Sequence, residues 1–287
     1  MNLYFRFKYN LKLVRWRARR GMAALRWGSS SQSKLPAVLG NAMPKSGSHL
    51  IIQVLQGLTH LGPFVNPGFP PVNRSETNDK LPEQAVLANL RRMRPGDIAY
   101  GYMHAQEPFL SALTGPGRAT VFVYRDPRDM VVSHVFYATE MYAGHGMHHY
   151  YTETLQTMEQ RINAAIQGVE EPGSQLSSVH EKYQAYLRWL EQPGVLCMRF
   201  EDLILDRTAA LTRLLDYLEL RGFSPRVGRQ QAAETLAQAI TPRKSGTFRK
   251  GKPGNWQEHF TEANKALFKE TAGDLLVRLG YERDNDW

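Results

Sequence analysis

Cysteine is almost absent: Cys197 is the single one in 287 residues. That excludes an internal disulfide and a cysteine-rich zinc site. Its place in the apolar run Val195-Leu196-Cys197-Met198 points to a buried, inert thiol in a chain suited to a reducing compartment. Long apolar runs are also missing. None reaches the roughly 18 residues of a membrane-spanning helix, so a cytoplasmic protein is expected. Acidic residues are absent from positions 1–27, which carry eight basic ones. No uninterrupted hydrophobic stretch follows these cations, so a secretory signal is not expected.

What is present is ordinary in bulk. A hydrophobic fraction of 42% and a charged fraction of 22% argue against a wholly disordered chain. The net charge of +9 suits nucleic acid, anionic lipid or a phosphorylated small molecule, and does not choose among them. In residues 1–27, aromatic and aliphatic side chains (Tyr4, Phe5, Phe7, Leu11, Val14, Trp16) alternate with arginine and lysine. Three readings stand open: a basic amphipathic segment resting on an anionic membrane surface, an organelle transit peptide, and a solvated extension. Gly28 to Ser33 reads as a linker, which divides the chain into an extension over 1–33 and a single domain over 34–287.

Short apolar runs at 37–43, 98–103, 120–124 and 195–200 read as buried strands. Helical patterns fall over 50–55, 83–93, 127–141, 152–167, 175–191, 207–219 and 262–279. The alternation predicts an α/β fold with a central parallel sheet flanked by helices. Gly62 to Asn73, rich in proline, reads as a surface loop.

The first strand runs into Pro44-Lys45-Ser46-Gly47 and then a helix. Such a junction binds anions, because the first amides of a helix have no partner within it and carry the positive end of its dipole. Gly47 permits close backbone approach, Ser46 and Ser48 supply hydroxyls, and Lys45 supplies a mobile cation. This is not a nucleotide triphosphatase loop. Leu39 and Pro44 stand where that motif needs glycine, and Arg125 precedes Asp126 where a magnesium-binding acid is expected.

Three blocks together resemble the cytosolic-type sulfotransferases that use 3′-phosphoadenosine 5′-phosphosulfate (PAPS). Met43-Pro44-Lys45-Ser46-Gly47-Ser48-His49 is similar to the family's 5′-phosphosulfate loop. Val123-Tyr124-Arg125-Asp126-Pro127-Arg128-Asp129 through Ser133-His134 resembles its 3′-phosphate motif, and Phe248-Arg249-Lys250-Gly251 through Trp256 its C-terminal loop. The resemblance implies a sulfotransferase fold related to P-loop nucleotide kinases, usually with five strands, and transfer of a sulfuryl group from PAPS to a hydroxyl or amine, leaving PAP. By position, Lys45 stabilises the leaving phosphate, and Lys45, Ser46, Gly47, Ser48 and His49 hold the 5′ side. Arg125, Ser133, Arg249, Lys250 and Gly251 hold the 3′-phosphate, and Phe200 matches a tyrosine near adenine. No metal is implied. Leu50 replaces the tryptophan that stacks on adenine, Asn255 replaces an aspartate, and Gln257, Glu262 and Ala266 break the dimer motif.

His104 follows the strand Ile98 to Met103, where a ligand-facing edge is expected. The family's general base is a histidine at the matching place, and Tyr102 stands where many members carry lysine. His145, His148 and His149 have no nearby acid or cysteine, so this segment reads as a polar-aromatic loop. With Phe64, Phe69, Phe136, Tyr137 and Tyr142 it is a candidate wall for the acceptor, which could be a small molecule, lipid-linked or a saccharide. A small-molecule kinase on a related fold is the alternative enzyme. A basic protein that binds membrane or nucleic acid is the non-enzymatic one, though nucleic acid is not the expected partner.

Overall fold

The computed structural model describes residues 3–241 and 251–287, with side chains from residue 7 onward. The chain forms two compact units: Met1–Tyr124 with Arg188–Lys244, and Arg125–Leu187 with Ser245–Trp287.

The first unit is built on four parallel strands, β1 (Ala37–Ala42), β2 (Ile98–Gly101), β3 (Arg118–Tyr124) and β6 (Val195–Arg199), in the order β2-β1-β3-β6. Every residue of β1 is buried, as expected of an inner strand covered on both faces. Strand β1 registers with β2 from Val38 opposite Ile98 and with β3 from Ala37 opposite Arg118. Its connection leads toward β2, whereas β3 leads away to β6. The carboxyl ends of β1 and β3 therefore flank a switch point, where open α/β sheets bind ligands.

Helix α3 (Ser48–Gly57) lies on β1. Gly40 allows its close approach, since a Cβ there would sit 2.9 Å from Leu55 Cδ1. Ile51, Val54 and Leu55 on its inner face are fully buried, each worth about 1.5–3 kcal/mol. The same core takes in Leu211, Leu214 and Leu218 of α10 (Arg207–Glu219) and Leu236 of α11 (Arg229–Gln238). Helices α4 (Glu83–Arg92), α5 (Phe109–Thr114) and α9 (Phe200–Leu205) belong to the same unit.

Before the sheet come α1 (Leu3–Trp27) and α2 (Ser29–Ser33). The serine-rich stretch that reads as a linker is thus helical, and Gln32 is buried with its Nε2 donating to the Pro63 carbonyl at 3.1 Å. Among the described residues, no helix is long and apolar enough to cross a membrane.

The second unit packs α6 (Pro127–Phe136), α7 (Met158–Gln167), α8 (Val179–Leu187) and α12 (Glu262–Ala272) against one another, followed by α13 (Leu275–Arg278). The helix expected over 127–141 is α-helical only to Phe136, that over 262–279 breaks at Gly273, and two more differ at their starts. The helix expected over 152–167 starts at Met158, because Thr157 and Gln160 form a reciprocal cap; π-helical turns occupy Tyr137–Met141 and Tyr150–Thr154. The helix expected from 175 instead begins with an antiparallel hairpin, β4 (Val169–Glu171) and β5 (Ser174–Leu176), turned by Pro172-Gly173 with Gly173 at φ 82°.

The sheet has four described strands, where the resemblance implied five, and β2 stops at Gly101 instead of Met103. Pairing ends there because Asn73 and Asn41 take over the next backbone groups, as described below. The loop Gly62 to Asn73 contains no helix or strand, yet it buries Phe64, Val65 and Val72.

Candidate active site

The turn after β1 is held in a conformation few residues adopt. Lys45 has φ 66° and Gly47 φ 90°, and the Ser46 amide donates to the Met43 carbonyl at 3.2 Å. A left-handed lysine is uncommon and costly, the kind of outlier found at functional sites. Gly47 is also the N-cap of α3, so the helix's partnerless amides begin at this turn. A Cβ at Gly47 would lie 2.5 Å from Phe200 Cδ2, so the ring of Phe200 packs directly on the bare glycine.

Ser46 has no exposed surface, and its Oγ has no hydrogen-bond partner among the described residues. Leaving a buried hydroxyl unsatisfied costs about 1–3 kcal/mol. A phosphate oxygen at the turn would remove that cost. Ser48 accepts from the Tyr102 hydroxyl at 3.3 Å. Burial, and then the charge of Lys45, hold the His49 imidazole below its ordinary pKa of 6.5. It is therefore a neutral hydrogen-bonding group near pH 7.

Leu50 packs on the hydrophobic core. It accordingly does not supply the stacking face of the tryptophan it replaces. Phe200, itself buried against the loop, is the aromatic face at this turn.

Sequence reasoning missed the clamp that fixes His104. Past the end of β2, the Tyr102 amide donates to Asn73 Oδ1 at 3.2 Å and the Tyr102 carbonyl accepts from Asn73 Nδ2 at 2.8 Å. The next residue, Met103, is gripped likewise by Asn41: its amide donates at 2.7 Å and its carbonyl accepts at 3.0 Å. Trp189 Nε1 donates to the same carbonyl at 2.8 Å. These bonds replace sheet pairing and leave His104 exposed, next to a rigid backbone. Burial of part of the ring, and then the cation of Lys80, lower its pKa below 6.5. The signal that could have revealed the clamp is an asparagine inside an otherwise apolar strand, Asn41, which has no exposed surface.

In the second unit, Arg125 is buried and pairs with Asp129 at 3.3 Å, and its carbonyl accepts from the Tyr183 hydroxyl at 2.7 Å. Asp126 caps α6 by accepting from the Arg128 amide. The Arg128 guanidinium bonds Asp126 and Glu282 and packs over the rings of Trp256 and Trp287, which meet edge-on, 4.0 and 4.5 Å from their centroids. Asp129 also accepts from the amides of Gly254 and Trp256, both at 2.9 Å, so it anchors the C-terminal loop.

Ser133 lies half-buried on the second turn of α6, and Gly251 has φ 60°. Arg249 and Lys250 fall outside the described residues. Sequence reasoning also missed Glu282 and Trp287, whose positions near the chain end gave no signal. It flagged Asn255 only as a substitution; the residue is buried with neither amide atom paired among the described residues.

The histidine segment is internally bonded. His145 Nδ1 accepts from the Met147 amide, and His148 Nδ1 lies 2.7 Å from the Ala138 carbonyl. Among the described residues, no three His, Cys, Asp or Glu side chains gather as a metal set. Of the aromatics considered for an acceptor wall, Phe64 is a core residue against Phe223, and Phe136, Tyr137 and Tyr142 belong to the second unit. Phe69 does line a cavity in the first unit, about 350 Å³, with Trp16, Ile52, Val72, Leu81 and Tyr100 among its walls. Cys197 sits with its Sγ 3.4 Å from the Trp189 carbonyl, and burial pushes its thiol up to about 11.

The chain matches the family described as "Sulfotransferase domain" over residues 36–280. A 3-alpha-hydroxysteroid sulfotransferase of Cavia porcellus is 26% identical over 162 residues, covering 52% of each chain, so the match spans about half the length of that relative. Among solved structures, mouse sulfotransferase SULT7A1 complexed with PAP superposes with TM-score 0.57 at 16% identity, covering 86% of both chains. Retinol dehydratase in complex with androsterone and inactive cofactor PAP gives TM-score 0.53 at 14% identity, covering 86% of this chain and 83% of that one. The fold is thus shared with sulfotransferases, and the extent of the family match settles membership: the chain belongs to the sulfotransferase domain family.

Proposed function

We propose that the protein transfers a sulfuryl group from PAPS to a hydroxyl or amine of a small-molecule acceptor. The observation that carries this reading is the Lys45–Gly47 turn at the switch point, with the Ser46 hydroxyl buried and unpaired among the described residues. Lys45, Ser46, Gly47, Ser48 and His49 hold the 5′-phosphosulfate end, with Phe200 beside the adenine. Arg125, Ser133, Arg249, Lys250 and Gly251 take the 3′-phosphate.

The acceptor oxygen or nitrogen attacks sulfur as His104 takes its proton. The bond from sulfur to the bridging oxygen breaks, and its electron pair leaves on the 5′-phosphate of PAP, whose growing charge Lys45 offsets. No step needs a metal. The cavity beside Tyr100, walled by Phe69, Val72 and Leu81, supports a largely apolar acceptor. Two of the sulfotransferase-fold relatives carry steroid names in their descriptions, which agrees with such an acceptor.

A kinase reading is disfavoured by Asp126. Its carboxylate is committed to capping α6 and to Arg128, and burial holds its pKa above the ordinary value of 3.8, which suits a magnesium ligand poorly. The test is thermal stabilisation by PAP, AMP and ATP at equal concentration. PAP should raise Tm well above the shift given by AMP. Equal shifts would mean that no 3′-phosphate site exists and would overturn the assignment.

A further inference from the structure

Helix α1 has two faces with different occupants. Trp16 is buried, and its Nε1 donates to Asp97 at 2.9 Å. On the same side Arg20 pairs with Asp97 at 2.7 Å and Lys12 with Glu76 at 2.6 Å, while Arg19 donates to the Asn66 carbonyl. Tyr9 meets the ring of Phe69. These bonds fix the helix to the first unit and use three of its cations.

The opposite face is a continuous apolar stripe of Phe7, Leu11, Val14, Ala18, Met22 and Leu25, within about 80° of arc at about 100° per residue. Its large members are exposed: Phe7 68%, Leu11 39%, Val14 60%, Met22 61% and Leu25 89%. Lys8, Arg15 and Arg26 border the stripe on one side and Arg17 on the other, all exposed. No acid interrupts the segment.

We propose that this stripe is a docking surface for an anionic lipid bilayer, on which the full chain lies peripherally with α1 in the interface plane. An apolar strip bordered by cations alone matches a surface of acyl chains below anionic headgroups: the apolar side chains enter, and the arginines reach outward to phosphate. A second copy of this chain is the poorer occupant, since an all-cationic border meeting itself repels. The helix is not a detachable arm, because its inner face is part of the fold. The bilayer therefore holds the first unit in one orientation.

Co-sedimentation of the full chain with phosphatidylcholine vesicles, with and without phosphatidylserine, tests this. Binding is expected only with phosphatidylserine, falling as salt rises. Val14→Ser/Leu25→Ser and Arg15→Gln/Arg26→Gln should each weaken it at least tenfold. Leu220→Ser, at an exposed leucine elsewhere, should leave it unchanged. PAP-induced stabilisation, retained in every variant, reports an intact fold and is read separately from vesicle binding. Absence of wild-type binding, equal binding by the stripe variants, or a concentration-dependent dimer that those variants dissolve would each overturn the proposal.

Discussion

The Asn41 side chain holds the Met103 backbone from both sides, accepting its amide hydrogen at 2.7 Å and donating to its carbonyl at 3.0 Å. A side chain on β1 thus does what a further pair of strand residues would do, and it does so one residue before His104. Sheet pairing would have placed the next residues in register with β1. The amide clamp ends the strand and still denies the backbone freedom.

Asn41→Ala should therefore act on turnover more than on donor binding. Met103 is buried, so the variant leaves its amide without a partner, at a cost of about 1–3 kcal/mol in stability. The freed His104 backbone should lower kcat tenfold or more, while PAP affinity stays within about twofold. Asn41→Asp keeps the acceptor and loses the donor, so it should fall between the two. Calorimetry with PAP and steady-state kinetics at saturating donor would decide the matter. Unchanged kcat in Asn41→Ala would show that the clamp serves stability alone.

Asp129 holds a comparable position in the second unit, joining Arg125 to the amides of Gly254 and Trp256. Asp129→Ala removes an ion-pair partner of the buried Arg125 and the acceptor of two amides, so stability should drop by at least about 1–3 kcal/mol. Asp129→Asn keeps an acceptor and should fold. Its expected signature is a narrowed preference for PAP over AMP, because Arg125 and the loop after Gly251 lose their common anchor. Thermal-shift titrations with both nucleotides provide the measurement. A preserved preference in a folded Asp129→Asn would separate that anchor from the 3′-phosphate site.

These two anchors mark where sequence reasoning reached its limit. The strand cores and the helices at 83–92, 127–136 and 207–219 were legible because burial leaves a periodic apolar pattern. The Lys45–Gly47 turn was legible because its chemistry is local, carried by adjacent residues. Asn41 to Met103 and Asp129 to Trp256 join positions far apart in the chain, and nothing in the spacing announces such bonds. The hairpin at 169–176 was missed for another reason: three-residue strands are too short to show a period, and Pro172-Gly173 was the only turn signal. Serine-rich composition at 29–33 suggested a linker, because the Gln32 to Pro63 bond that orders it is likewise non-local.

The pH dependence of transfer should report Lys80. Two causes hold the His104 pKa below 6.5: burial, the larger, and the nearby cation of Lys80. Both disfavour the imidazolium, and a general base must be neutral to accept a proton. The rate should therefore fall as pH drops through a pKa below 6.5 and be flat above it. Lys80→Met removes the second cause, so the imidazolium becomes easier to form and the acid limb moves to higher pH. Burial persists in the variant, which keeps the limb below 6.5. At pH 8 both proteins should turn over equally, and the variant should be slower only on the acid side. Lys80 is exposed, so raising the salt concentration should shift the wild-type limb in the same direction and leave that of Lys80→Met in place. Profiles of kcat/KM against pH at low and high salt give all four curves. A limb that stays fixed in Lys80→Met, or one that moves to lower pH, would show that the titrating base is a group other than His104.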